Sequence, residues 1–305
     1  MTEETLNEII EGKEKSFAKW YDKNYKLLLL IPLILLILSL GYLGYFYQEN
    51  NDFIKKDVSL TGGTSITLFS ESKINLNQLE NVLTGKLSDF SVRELSDFRT
   101  GKQKAVVIES QEDASIIKPL LEEFLGYSLD ETNSSIESTG STLGDSFYKQ
   151  LQFAILLSFI MMAIVVFIIF RTLVPSFAVV LSAFADIVMT LAMVNILGMR
   201  VSSAGIIALL MLIGYSVDSD IMLTTRLLKR RDNINKKIWG AFKTGMTMTI
   251  TSIIALSVTL FITQTFSEVL RQIFTILLIG LGFDILNTWT TNSSILKWYL
   301  EKKHG

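Results

Sequence analysis

The sequence predicts a polytopic α-helical membrane protein with six transmembrane helices and one extracytoplasmic α+β domain of ferredoxin-like topology. Of the 305 residues, 49% are hydrophobic and only three are proline, and the mean hydropathy is +0.40. These values are typical of polytopic membrane proteins rather than of soluble globules. Six apolar runs are long enough to cross a bilayer, and the stretch of about 100 residues between the first two can hold one small domain.

Each apolar run is about 20 residues long, which at about 1.5 Å per residue spans about 30 Å of hydrocarbon. The first run follows a long charged leader without a small-residue cleavage site, so we expect it to remain as an anchor. The six runs comprise residues 27–47, 151–170, 176–197, 202–225, 245–264 and 273–289.

Lysine and arginine concentrate on alternate connections, which by the positive-inside rule face the cytoplasm. We therefore expect a multi-pass protein of the cell membrane with both termini cytoplasmic. The predicted parts are a cytoplasmic N-terminal segment (1–26), the first helix (27–47), an extracytoplasmic domain (48–148), a five-helix bundle (149–292) and a cytoplasmic tail (293–305). The basic residues are Lys13, Lys15, Lys19, Lys23, Lys26, Arg171, Arg226, Lys229, Arg230, Arg231, Lys236, Lys237, Lys297, Lys302 and Lys303.

The stretch outside the membrane has the element order β-α-β-β-α-β, which is that of a ferredoxin-like split βαβ unit. Alternation over residues 58–69 predicts a strand, and apolar spacing predicts helices over 75–87 and 112–125. A hairpin lies between these helices, and the polar run 134–140 predicts the last strand.

The glycine pair and the acidic residues of this domain are interpreted as structural features rather than as ligand sites. Gly62 and Gly63 interrupt the first strand, which indicates a bulge or a close backbone approach rather than a phosphate loop. Acidic residues such as Glu109 are interpreted as a solvated face.

Four aspartates occur within the predicted membrane helices, and three of them, Asp186, Asp218 and Asp284, are expected to lie in the hydrocarbon interior. A carboxylate near the bilayer centre costs about 3 kcal/mol on insertion scales, so it must be used or neutralised. The third and fourth spans are joined by few residues, so we expect them to be antiparallel neighbours that bring Asp186 and Asp218 together. Close carboxylates in a low-dielectric site do not both ionise readily, which makes the three aspartates ion-relay candidates for H+ or Na+.

Two further residues of the fourth span are assigned secondary roles. Asp220 lies about 200° around the helix from Asp218, so we expect it to be a secondary polar group. Gly214, one turn before Asp218, is expected to permit close helix packing. In the alternative interpretation, the aspartates only specify packing by hydrogen bonds to partners such as Thr190, Thr249, Thr251, Ser252 and Asn287.

Several functional classes are disfavoured. Cysteine is absent, which excludes disulfides and thiolate metal sites, and the only histidine, His304, is expected to be solvated. No nucleophile elbow, nucleotide loop or metal triad occurs, so we expect no enzyme activity, no cofactor and no metal site. The net charge of −2 is too small to indicate nucleic-acid binding.

Long segments resemble a known family. GYSVDSDIMLTTRLLKRR and the preceding FADIVMTLAMVNILGMRVSSAGIIALLMLI resemble the third and fourth spans of the SecD/SecF protein-export family, a branch of the resistance-nodulation-division superfamily. VSLTGGTSITL resembles the family's Gly-Gly-Thr strand, and TWTTNSSILKWYLEKK resembles the end of the sixth span in its archaeal SecF branch. The resemblance covers nearly the whole chain from about Leu27.

The resemblance also implies roles for single residues. Asp218 takes the position of the aspartate in the family's Val-Asp-Ala-Asn motif, and Asp220 takes that of its asparagine. A second family motif, Gly-Tyr-Ser-Leu-Asn-Asp, places its aspartate over Ser219. Asp186 takes the position of the aspartate in a His-Asp pair, with Ala185 replacing the histidine, so a histidine-based proton shuttle is not expected.

The resemblance implies an auxiliary subunit of the Sec protein-export machinery that uses the membrane ion gradient. The implied partners are SecD in a heteromeric complex, the Sec translocon channel, a translocating polypeptide and membrane lipid. Two alternatives remain open: half of a small-molecule exporter of the same superfamily, and a scaffold for SecD that conducts no ions.

Overall fold

The computed structural model describes residues 3–70, 73–87, 90–97, 100–229, 234–263 and 267–304, without the side chains of residues 3–11, 13–19, 229 and 304. The side chain of His304 therefore lies outside the described part. In chain order the elements are α1 (Glu3–Asn50), α2 (Val58–Thr61), β1 (Gly63–Phe69), α3 (Leu76–Leu83), β2 (Phe90–Ser96), β3 (Gln103–Ser110), α4 (Ala114–Leu125), β4 (Ser134–Thr139), α5 (Ser141–Phe170), α6 (Leu173–Ile196), α7 (Ser203–Lys229), α8 (Ile234–Thr263), α9 (Glu268–Leu286), a π-helical segment (Asn287–Asn292) and α10 (Ser293–His304).

Six helical stretches are long and apolar enough to cross a membrane, which confirms the predicted fold class. They are Trp20–Asn50, Ser141–Phe170, Leu173–Ile196, Ser203–Leu228, Ile234–Thr263 and Glu268–Lys303. The helices α6 and α7 lie at the centre of the bundle, and α1, α5 and α8 lie at its periphery. The bundle core is apolar and includes Val179, Leu209, Leu212 and Leu277.

Residues 51–140, hereafter the loop domain, contain the predicted ferredoxin-like unit. Its antiparallel sheet has the strand order β2-β3-β1-β4, and Ile66 pairs with Ile108 on one side and Ile136 on the other. The helices α3 and α4 cover one face of the sheet and enclose a core that includes Leu79 and Leu121. The opposite face is left without helices and lies toward the membrane bundle.

The strand predicted over residues 58–69 is partly wrong, since Val58–Thr61 forms one helical turn capped by Asp57. Gly62 and Gly63 then adopt φ values of +80° and +130°. The β1 pairings continue in register, so the glycines do not form a bulge. They permit a close backbone approach, because a Cβ atom at Gly62 would overlap the Ser141 backbone at the start of α5.

No described helix of this chain packs against Gly214. It lies on the exposed face of α7, and an added Cβ atom there would meet no described atom within 4 Å. Close helix approach occurs instead at Gly245, where a Cβ atom would overlap Trp289, and at Gly280, where it would overlap Leu212.

The sixth span does not end near Trp289 as expected but continues through the π-helical segment into α10. The predicted tail is therefore a packed helix as far as Leu300, which is buried. The Lys297 side chain is 2% exposed, and its ammonium group pairs with Asp22 of α1 and lies 4.8 Å from the Tyr25 ring centre. Because this cation is neutralised inside the protein, the helix can continue past it.

Candidate functional site

The face of α7 that points into the bundle carries Ser216 and Asp220, which are both fully buried. The two residues are four positions apart, so they lie one above the other on one helix face. Asp218 lies on the opposite side and is exposed. The prediction that Asp218 lies beside Asp186 is therefore wrong, and Asp220 occupies the inner position.

Three carboxylates meet inside the bundle: Asp186 of α6, Asp220 of α7 and Asp284 of α9. Their exposed fractions are 0%, 0% and 1%, and they are close enough to interact electrostatically. Asp186 thus has a carboxylate neighbour on the fourth span as expected, but this neighbour is Asp220 rather than Asp218. We call Asp186, Asp220 and Asp284 the aspartate cluster.

Neutral groups donate hydrogen bonds to the aspartate cluster. Ser216 Oγ donates to Asp186 Oδ2 at 2.5 Å, and Asn287 Nδ2 donates to Asp186 Oδ1 at 2.7 Å. The other donors are Asn292 Nδ2 to Asp220 Oδ1 at 2.7 Å and Thr288 Oγ1 to Asp284 Oδ1 at 3.1 Å. Asn287 is thus a partner as the packing alternative expected, whereas Thr190 donates to the Asp186 backbone carbonyl at 2.6 Å.

The π-helical segment places two asparagines beside the cluster. Five residues of α-helix turn the chain to a position about 140° from the starting face. The wider π-helical turn, with its i→i+5 hydrogen bonds, brings residues five apart nearly into line. Asn287 and Asn292 therefore both face the inside of the bundle, where they donate to Asp186 and Asp220. Nothing in the apolar periodicity of the sixth span indicates this segment.

A second cluster of charged residues joins the loop domain to the membrane helices. Arg93 of β2 pairs with Glu109 of β3, and its Nη1 atom lies 3.2 Å from Glu268 Oε1 at the start of α9. Glu268 Oε1 also accepts a hydrogen bond from Arg271 at 2.6 Å. Glu109 is only 2% exposed, so its assignment to a solvated acidic face is wrong. We call Arg93, Glu109 and Glu268 the junction residues.

The charges around the junction shift the pKa of two acids outside the membrane. Burial raises the pKa of Glu109, and the Asp57 carboxylate raises it further, while Arg93 and Arg200 oppose the shift. Burial also raises the pKa of Asp57, against hydrogen bonds from backbone N–H groups and the same two arginines. Ionising both acids is therefore unfavourable where the loop domain meets the bundle.

Among the described residues, no group of three His, Cys, Asp or Glu side chains could hold a metal ion. The candidate site thus has two parts: the buried aspartate cluster at the centre of the bundle, and the junction residues where the bundle meets the loop domain. The helix α9 contributes to both.

Comparisons with known proteins identify the family. The family model "Protein export membrane protein SecD/SecF, C-terminal" matches residues 117–302. The chain is 40% identical over 284 residues to the protein-export membrane protein SecF of Methanocaldococcus jannaschii, covering 91% of this chain and 96% of that protein. The chain belongs to the SecD/SecF protein-export family. It is also 35% identical over 302 residues to the SecF of Pyrococcus furiosus, covering 98% of each chain, so the predicted SecD/SecF resemblance is confirmed.

The fold of this SecD/SecF family member resembles that of SecDF, a translocon-associated membrane protein from Thermus thermophilus, with a TM-score of 0.74 and 18% identity over 92% of this chain. A structure of SecDF in a super-membrane-facing form matches with a TM-score of 0.57 and 17% identity. The chain spans 38% and 39% of the two SecDF chains. At these identities the likeness concerns the fold.

Proposed function

We propose that the chain is an auxiliary subunit of the Sec protein-export machinery, acting with SecD beside the Sec channel. In this role it uses the membrane ion gradient to promote polypeptide translocation across the cell membrane. Family membership supports the export role. The observation that carries the coupling is that α9 holds Asp284 of the aspartate cluster and Glu268 of the junction residues.

The ion step takes place at the aspartate cluster. In a low-dielectric interior, three carboxylates held by neutral donors repel one another unless protons or Na+ ions neutralise them. Binding and release of H+ or Na+ therefore change the preferred spacing of α6, α7 and α9. One charge crossing about 100 mV supplies about 2.3 kcal/mol, so a few ions bias a two-state rearrangement.

The movement reaches the loop domain through α9. Glu268 and Asp284 are 16 positions apart on this helix, which corresponds to about 24 Å. Gln272, on the first turns of α9, accepts from the backbone N–H of Ser202 at 3.0 Å and donates to the Arg200 carbonyl. The start of α9 is thus tied both to the loop between α6 and α7 and to β2 of the loop domain, so a shift of the helix displaces both.

The face of the loop domain that lacks helices is where we propose contact with the translocating polypeptide. It borders a cleft of about 530 Å³ whose opposite wall is formed by the ends of α7 and α9. Ser65, Thr67 and Ser135 line this cleft and offer hydroxyl groups to an extended chain. For the cleft to meet a polypeptide leaving the membrane, we propose that both termini are cytoplasmic and that the loop domain with its cleft lies outside the cell membrane.

The exposed face of α7 is where we propose that SecD packs. Ile207, Met211, Gly214, Tyr215 and Asp218 share this face. A carboxylate at membrane depth is costly against lipid, so Asp218 requires a protein partner or water. The small Gly214 next to it leaves room for a second helix.

Export measurements on two neutralising variants test the proposal. Asp220→Asn keeps the side-chain size and the Asn292 contact but removes the ionisable group, so we expect the rate of ion-dependent export to fall at least about tenfold. The complex with SecD should remain intact on purification. Asp218→Asn is the matched variant on the other face, and we expect it to weaken co-purification of SecD instead. Normal export by Asp220→Asn would instead indicate a scaffold that conducts no ions.

A further inference from the structure

One carboxylate oxygen of Asp220 and three oxygen atoms of neighbouring side chains have no hydrogen-bond partner among the described residues. They are Ser182 Oγ of α6, Asp220 Oδ2 and Thr224 Oγ1 of α7, and Asn292 Oδ1 of the π-helical segment. All four side chains are fully buried, at 0% exposure. Leaving buried polar atoms unpaired costs about 1–3 kcal/mol each, so four in one place indicate a missing ligand.

Two of these atoms, Ser182 Oγ and Thr224 Oγ1, differ from other hydroxyls of the membrane helices. A serine or threonine inside a membrane helix normally donates to the carbonyl four residues earlier. Ser176 of α6 does so at 2.8 Å, and Thr247, Thr259 and Thr263 of α8 do so at 2.8 Å each. Ser182 and Thr224 are exceptions, so their oxygen atoms are available to another group.

Three of the four side chains neighbour the fourth, Asp220. Thr224 is one turn from Asp220 on the same face of α7. Asn292 is bonded to Asp220 Oδ1 through its Nδ2 atom at 2.7 Å, which leaves its carbonyl oxygen beside the same carboxylate. Ser182 lies next to Asp220 from α6, although the two form no hydrogen bond of ordinary geometry.

We propose that these oxygen atoms form a Na+ site whose ligands are Asp220, Asn292, Ser182 and Thr224. Hard cations take carboxylate, carbonyl and hydroxyl oxygens as ligands. One carboxylate with three neutral oxygens balances a single positive charge, which fits Na+ better than a divalent ion. Interrupted membrane helices are where transporters place such ions, and Asn292 stands at the end of the π-helical interruption.

The proposed Na+ site rests on the proposed function, because it identifies Na+ as the coupling ion and assigns the residues that bind it. A Na+ ion at this position would hold α6, α7 and the π-helical segment together. Its release would leave the Asp220 charge facing Asp186. The predicted sequence of events is therefore that Na+ binding closes the three helices and Na+ release separates them.

Direct binding of ²²Na+ to the purified full-length chain tests this site. We expect saturable binding that unlabelled NaCl displaces and KCl does not. Asp220→Asn should abolish binding, and Ser182→Ala or Thr224→Val should each raise the Na+ dissociation constant about tenfold or more by removing one ligand. The matched controls Ser176→Ala and Thr259→Val remove hydroxyls outside the site and should bind as the wild type does.

The outcomes separate the site from the wider function. Absence of saturable ²²Na+ binding in the wild type, or unchanged binding in both Ser182→Ala and Thr224→Val, would overturn the Na+ site. If Asp220→Asn still abolished ion-dependent export in that case, the proposed function would stand with H+ as the ion. If Asp220→Asn does not fold, the two hydroxyl variants, monodisperse on gel filtration, decide the result.

Discussion

Asp218 and Asp220 are two positions apart on α7 and lie in opposite environments. Asp220 is fully buried with Asn292 as its donor, and Asp218 is on the exposed face. The sequence does not distinguish them, because both faces of a membrane helix are apolar and periodicity indicates no inner side. Asp218 was favoured because Asp220 is closer in sequence to Arg226 and the membrane interface, although the spacing of Ser216 and Asp220 matched a single face. The presence of buried aspartates and the Asn287 partner were thus predictable, but the choice between Asp218 and Asp220 was not.

Burial of Glu109 makes the stability of the folded protein depend on pH. Because burial raises its pKa above the ordinary value of 4.5, the folded protein holds this proton more tightly than the unfolded chain does. The stabilising contribution is complete below that ordinary value and is lost as the pH rises through the raised pKa. Asp57, Arg93, Arg200 and Ser91 are the polar groups that act on it.

We therefore expect the unfolding temperature of the wild type, minus that of Glu109→Gln, to decrease between about pH 4 and about pH 8. Thermal unfolding of the two purified proteins in matched buffers measures this difference. A difference that does not change with pH would mean that the Glu109 pKa is the same in the folded and unfolded states.

At the scale of elements, glycine contacts and the π-helical segment determine how the bundle packs. The six membrane helices and the ferredoxin-like unit followed from run length and alternation, which are local properties of the chain. The π-helical turn and the packed α10 depend on contacts between distant residues, such as Lys297 with Asp22. Local sequence patterns do not indicate contacts between distant residues, so residues 293–305 were predicted as a cytoplasmic tail.

Two glycines of α9 test the packing directly. A Cβ atom at Gly280 would overlap the Leu212 side chain, whereas one at Gly282 would meet no described atom within 4 Å. We expect Gly280→Ala to lower the free energy of unfolding by about 1–3 kcal/mol through overpacking. Gly282→Ala should leave it unchanged or raise it by up to about 1 kcal/mol, because alanine favours helix.

Denaturant unfolding of the two variants in the same detergent provides the comparison. Equal stability of Gly280→Ala and Gly282→Ala would show that α7 and α9 do not approach as closely as the structure has them.

Across the whole molecule, we propose that ion occupancy at the aspartate cluster sets the position of the loop domain through α9. The two ends of this connection are Asp284 and Glu268, with Arg93 as the contact on the loop domain. Family resemblance predicted the export role, but not this connection, since Arg93 and Glu268 are 175 positions apart in sequence.

The most direct test is a distance measurement between spin labels on the loop domain and on the bundle. Labels at Glu137 of β4 and Val258 of α8 would be compared at high and low NaCl, and at high and low pH, by pulsed electron resonance. We expect the distance distribution to shift with ion occupancy in the wild type, and Asp220→Asn and Glu268→Gln each to abolish the shift. A distribution that is the same under all ion conditions, or that shifts equally in Asp220→Asn, would show that ion occupancy does not move the loop domain.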